Sequence, residues 1–260
     1  MTADGAGSTP VSAATLARLR RLNLLFGGAH GLQAVAMVAF SNALSLPVTA
    51  VFANGPPGQP IRPATISLLF TYRLGLAVAL FSGLSAFFHL LVASPWGLGR
   101  YGRELERDRN RFRWVEYSLS SSLMIVLIAG ITGITDIVAL LALFSTNAAM
   151  IFFGWLMETG NASRPARHWS AFLFGCLAGV VPWVSIVIYL VGAGDDVPTF
   201  VYGIFVSLFL MFNCFAVNQF LQYRARGRWA DYLFGERVYI WLSLVAKSLL
   251  AWQIFANTLV

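Results

Sequence analysis

Of the 18 basic residues in this chain 17 are arginine, and the one lysine, Lys247, stands midway through the apolar run Leu242-Ser243-Leu244-Val245-Ala246-Lys247-Ser248-Leu249. A charge at the centre of a membrane costs roughly 3 kcal/mol or more, which makes an ionisable group there a functional candidate. Lys247 is too central to snorkel to either interface. Lysine offers an amine that desolvation can strip of its proton, leaving a nucleophile able to attack a carbonyl and form an imine. Its other use is an ion pair with a carboxylate, for structure or for ion transport. The run Arg113-Trp114-Val115-Glu116-Tyr117-Ser118-Leu119-Ser120-Ser121-Ser122 supplies such a carboxylate in Glu116. It is the only acid clearly within an apolar span, because Asp136 and Glu158 fall at span ends. A protonated imine buried among apolar side chains requires a nearby anion, and Glu116 is the candidate.

Two such residues need rigid elements to hold them. The chain is 58% hydrophobic and 11% charged, against about 25% charged in ordinary soluble domains. A compact soluble fold of 260 residues cannot hide that much apolar surface, so lipid is the solvent. Apolar stretches long enough to cross a bilayer run at 22–41, 73–94, 113–133, 136–157, 169–191, 198–223 and 236–258. The expected architecture is an all-α membrane protein, one seven-helix domain over 1–260 with a polar N-terminal segment at 1–20. That segment has no signal-peptide core, so no cleavage is expected. Residues 42–72 form the one long connection. Two β-compatible runs, Leu46–Phe52 and Ile61–Leu68, flank Asn54-Gly55-Pro56-Pro57-Gly58, which predicts a small two-stranded flap. Cys176 and Cys214 lie in apolar segments and read as small core residues rather than a disulfide or metal pair.

Orientation follows from the arginines. Fifteen fall in the N-terminal segment and the second-to-third, fourth-to-fifth and sixth-to-seventh connections; only Arg62 and Arg73 fall on the other side. The positive-inside bias predicts a cytoplasmic N-terminus, an extracellular C-terminus and an extracellular flap in the cell membrane. The same asymmetry, with attraction to anionic lipid, accounts for the net charge of +7 without a nucleic-acid partner. The basic run Arg100 to Arg113 is interleaved with Glu104, Glu106 and Asp108, as in a solvated helix end. The third and seventh spans both start on the arginine-rich side, and their side chains lean that way. Glu116 lies about one turn in and Lys247 about two and a half, an offset a long lysine can bridge.

The stretch from Arg113 to Ser122 resembles the third helix of heliorhodopsins, and Ser243-Leu244-Val245-Ala246-Lys247-Ser248 with Ala251-Trp252-Gln253 resembles their seventh. Gly83 to His89, Gly154-Trp155-Leu156, Val181-Pro182-Trp183 and Phe200-Val201-Tyr202-Gly203 extend the similarity through all seven spans. The resemblance implies a photoreceptor carrying all-trans retinal covalently as a Schiff base on Lys247, with Glu116 as counter-ion. It also implies a homodimer. A sensory role calls for a cytoplasmic signalling partner of unknown identity, and since nothing in the sequence resembles a nucleophilic triad, a metal site or a nucleotide fold, no enzymatic activity is expected. The inverted orientation expected from the arginines is a mark of the same family.

For the retinal pocket, mid-membrane positions and the resemblance together indicate Tyr117, Ser121, Asn147, Met150, Gly154, Trp183 and Phe212. Phe212 stands where pump rhodopsins carry a tryptophan. The resemblance also assigns His30 and His89 to a polar network around the counter-ion, and Ser85 and Ser120 lie in the same half of the bundle. Two departures from pumps bear on function. Ser243 replaces the aspartate usual one turn before the lysine, and Leu127 replaces the proton-donor carboxylate. With one carboxylate in the bundle, a sensory role without net pumping is expected. The alternatives are a light-driven or light-gated proton transporter, and a retinal-free transporter or scaffold built on a Lys–Glu pair.

Overall fold

The structure, a computed structural model, describes residues 11–53, 55–59, 65–161 and 168–259. Asn54 and residues 60–64 of the flap, Arg164 and Arg167 lie outside the described residues. Among the described residues, seven helices are long and apolar enough to cross a membrane. Many of their large apolar side chains point away from the protein, with Leu25, Leu32 and Val191 being 69, 72 and 75% exposed. Water would reject such a surface and hydrocarbon accepts it.

Helix α1 (Ala13–Phe40) starts two turns before the expected span. Hydropathy marks the apolar stretch, whereas the helix starts at its cap, where the Ser12 side chain accepts from Thr15 N at 3.2 Å. Strands β1 (Ser45–Val51) and β2 (Ile66–Arg73) then pair antiparallel, with Ser45 opposite Arg73 and Val51 opposite Ile66. The flap is therefore present, but its second strand lies later than the expected Ile61–Leu68. Strand β2 runs straight into α2 (Leu74–Ala93), so Leu69 to Arg73, read as loop and span edge, belong to the sheet. Thr49 joins the flap to the bundle, its backbone N–H donating to Thr135 O at 2.9 Å. Burial pushes the nearby Tyr72 phenol up to about 12.

Beyond α2 the chain makes a short helix, α3 (Pro95–Leu105), capped by Ser94 Oγ, which accepts from Gly97 N at 3.0 Å. A β-carbon on Gly97 would collide with the Leu91 carbonyl, so glycine lets α3 fold back tightly on α2. The remaining spans are α4 (Arg111–Ile131), α5 (Ile137–Asn161), α6 (Ser170–Ala193), α7 (Thr199–Arg224) and α8 (Tyr232–Ile254), the last continued by a π turn to Leu259. Asn110 and Asp231 cap α4 and α8 through their side chains.

The main core gathers Met37, Phe81, Met124, Leu127, Ile186, Leu208 and Leu250 in the half of the bundle toward the flap. The arginine-rich half is packed differently, around buried polar groups. Neither cysteine is in the core: Cys176 is exposed on α6 and Cys214 partly so on α7, both as free thiols. Small and apolar enough for lipid, each satisfies the hydropathy pattern without being interior.

Candidate functional site

Lys247, 3% exposed on α8, points at Glu116, 6% exposed on α4, with Nζ donating to Oε1 at 2.5 Å. Ser243, one turn earlier on the same face of α8, accepts from Nζ at 2.9 Å. Ser85 on α2 donates to Glu116 Oε1 at 2.8 Å. The ammonium also lies 5.1 Å from the centroid of the Tyr117 ring. Three helices thus converge on one charge pair. A neighbouring polar chain, Gln33 to Ser82 at 3.1 Å and Ser248 to Gln33 at 2.9 Å, joins α1, α2 and α8 beside Lys247.

An apolar cavity of about 110 Å³ opens from the Lys247 side chain between α4, α5, α6 and α7. Tyr117, Ser120, Ser121, Met150, Gly154 and Phe212 line it. Asn147 stands behind this wall, donating to Ser121 Oγ at 2.8 Å and Ser122 Oγ at 3.0 Å. Trp183 is set back too, its ring edge-on to Phe212 with centroids 5.4 Å apart. Sequence reasoning missed the aromatic walls Trp114, Phe172, Phe215 and Tyr239. A β-carbon on Gly154 would sit 2.6 Å from the Trp114 ring, so glycine is what lets that indole flank the cavity. A flat, apolar polyene fits such a lining, and a charged ligand does not. Ser120 Oγ is buried with no hydrogen-bond partner among the described residues, and its residue lines the cavity, so its hydroxyl is free to donate to a group held there.

His30 and His89 stack at 5.6 Å between ring centroids, inclined by 14°. His89 Nδ1 lies 2.7 Å from Asn23 Oδ1, and neither nitrogen of the fully buried His30 has a partner among the described residues. The histidines do not hydrogen-bond Glu116 directly. Instead, His89, Glu116 and Ser243 share the wall of a small cavity of about 40 Å³.

The expectation of a single carboxylate within the bundle needs correction. Glu158 and Glu236 are 3 and 1% exposed, and Arg113, read as part of a solvated basic run, is 6% exposed between them. Arg113 Nη2 donates to Glu158 Oε1 at 2.6 Å and Nη1 to Glu236 Oε2. Trp114 Nε1 (2.5 Å), Tyr232 OH (2.8 Å) and Asn110 N (2.9 Å) complete the shell of Glu158. Asn110 Nδ2 (2.6 Å) and Tyr101 OH (3.1 Å) serve Glu236. Burial and the Glu236 carboxylate hold the Tyr101 phenol well above its usual range, so it stays a neutral donor. A signal existed in the sequence. Arg113 opens the third span, Glu158 closes the fourth and Glu236 opens the seventh, so the topology puts all three at one depth. Each taken alone resembled an ordinary membrane-edge charge.

A seven-helix membrane bundle whose only lysine is buried against a carboxylate, at the head of an apolar cavity, has the make-up of the rhodopsin class of retinal proteins. The heliorhodopsin family model matches residues 19–259, and the chain belongs to that family. A search of the curated proteins gives no match. The protein is accordingly a multi-pass membrane protein and a light-absorbing rhodopsin with retinal as its chromophore.

Proposed function

We propose that this chain is a sensory photoreceptor in which Lys247 carries all-trans retinal covalently as a Schiff base, Glu116 is the counter-ion, and illumination moves a proton locally without net transport. The observation that carries this reading is the Lys247 Nζ to Glu116 Oε1 contact of 2.5 Å at the head of the apolar cavity. Retinal supplies the visible absorption and the light-driven isomerisation. Glu116 balances the positive charge on the Lys247 nitrogen, while Ser85 and Ser243 hold the two groups in place. Tyr117, Met150, Gly154 and Phe212 would bound the polyene, with Ser121 fixed by Asn147 and Phe212 backed by Trp183.

Charge in the described bundle is distributed unevenly along its axis. Glu116, the histidines, Glu158 and Glu236 occupy the arginine-rich half. Toward the flap α4 and α8 present the buried Met124, Leu127 and Leu250. The buried polar side chains there are neutral amides and hydroxyls such as Gln33 and Ser82. A proton leaving the Lys247 nitrogen therefore has acceptors on one side only, and crossing the other half would carry a large desolvation cost. Voltage-clamped cells should accordingly show no sustained photocurrent on illumination. A steady current would replace the sensor with a light-driven transporter.

The whole chain, 1–260, is proposed to act as one unit, as a homodimer in the cell membrane. The arginine bias supports a cytoplasmic N-terminus and an extracellular flap, and the signalling partner, of unknown identity, is proposed to act on the cytoplasmic side. A tag after Val260 should react with impermeant reagents on intact cells and an N-terminal tag should not; the opposite pattern would invert the topology. The output is taken to be signalling rather than catalysis.

A further inference from the structure

Helix α3 has a role that the photochemical site does not use. Gly97, Tyr101, Gly102 and Leu105 face the bundle, while Trp96, Arg100 and Arg103 face outward. It begins where α2 ends, so it lies along the membrane boundary rather than across the bilayer. Between it, the last turns of α2 and the first turn of α4 is a cleft of about 490 Å³. Arg100, Arg103, Arg107 and Arg111 rim this cleft, and Phe88 and Leu91 form part of its apolar floor.

The charges are not consumed internally. Glu104, the one carboxylate of the lining, pairs with Arg111 at 3.2 Å. Arg100 lies over the Trp96 ring at 4.0 Å and donates to Trp96 O, contacts that orient it and leave its charge unbalanced. Neither Arg103 nor Arg107 has an ion-pair partner among the described residues. We propose that this cleft is a specific site for an anionic phospholipid, its phosphate held by Arg100, Arg103 and Arg107 and one acyl chain lying over Phe88 and Leu91. Guanidinium groups match phosphate geometry and charge. The apolar floor at the end of a membrane span is suited to a tail and poorly suited to a soluble anion. This inference does not depend on retinal binding or on the orientation of the chain.

The test is native mass spectrometry of the purified full-length protein in mixed micelles holding equal amounts of dioleoyl phosphatidylglycerol and dioleoyl phosphatidylcholine. The wild type should retain one phosphatidylglycerol per chain in preference to phosphatidylcholine. Arg100→Gln/Arg103→Gln/Arg107→Gln should reduce that preference by about tenfold or more, each removed charge weakening attraction to an anionic headgroup. Arg224→Gln/Arg226→Gln/Arg228→Gln, which removes equal charge from another basic connection, should leave it intact. Equal loss in both triple variants would mean diffuse attraction to a basic face and would overturn the site, as would no headgroup preference in the wild type. Poly-glutamate binding at these arginines without any lipid preference would assign the cleft to an acidic protein partner instead. A melting temperature within about 2 °C of wild type in each triple variant would show that the comparison is between folded proteins.

Discussion

Lys247→Ala should give an inserted, folded and colourless protein after incubation with all-trans retinal. Lys247 is the sole lysine, so no other side-chain amine can take its place. Removing it leaves Glu116 buried with Ser85 as its remaining hydrogen-bond donor. Some loss of stability is therefore expected, and the spectrum must be read on material that elutes as the wild type does. A visible band surviving in that material would end the assignment of Lys247. The companion variant Glu116→Gln tests the other half of the pair. It keeps the side-chain volume and the contact to Ser85 but removes the negative charge 2.5 Å from the lysine nitrogen. An anion at that distance favours positive charge on the nitrogen in the ground state. Its removal should move the absorption band to longer wavelength and bring the alkaline loss of that band to lower pH. Matching pH titrations of the two pigments would place the counter-ion elsewhere.

Arg113→Ala should be the most destabilising single substitution at the arginine-rich end of the bundle. The guanidinium bridges Glu158 and Glu236, and its cation also lies 4.1 Å from the Tyr239 ring centroid. Without it two carboxylates remain buried with no cation between them, and breaking a buried ion pair in this way costs about 3–5 kcal/mol. For a chain of this size that corresponds to a fall in Tm of about 6–20 °C. Arg113→Lys keeps the charge but lacks the planar fork that reaches both acids, and should fall between the two. The melting temperature of the purified pigments measures the effect. Unchanged melting in Arg113→Ala would mean that this cluster does not hold α4, α5 and α8 together.

The outcome at Arg113 also shows where reading residues along the chain stops being informative. Lys247 and Glu116 were legible because each is an ionisable side chain within an apolar run, where the charge carries a cost that only a specific partner or function offsets. The seven spans were legible for a related reason, since bilayer thickness sets their length. The flap was visible from its turn residues, yet the bounds of β2 depended on pairing with β1, a partner about twenty residues away in the chain. Arg113, Glu158 and Glu236 sit where an apolar span gives way to polar sequence, and there the cost of a charge depends on whether water or protein covers it. Asn110, Tyr101 and Tyr232, on three separate segments, cover these residues and supply their hydrogen bonds. The lining of the cavity follows the same division. Tyr117, Met150 and Phe212 lie at the right depth on their helices, but depth does not specify rotation about the helix axis. Packing of α4 to α7 set that rotation, placing Trp183 behind Phe212 and bringing Trp114 and Phe215 to the wall. The amino-acid sequence by itself determined the membrane spans and the one amine and one acid at its centre, because burial of charge in lipid is a local and severe constraint. Only the tertiary structure decided which edge charges are interior and which side chains face the cavity beside Lys247, because both depend on neighbours that the linear order does not name.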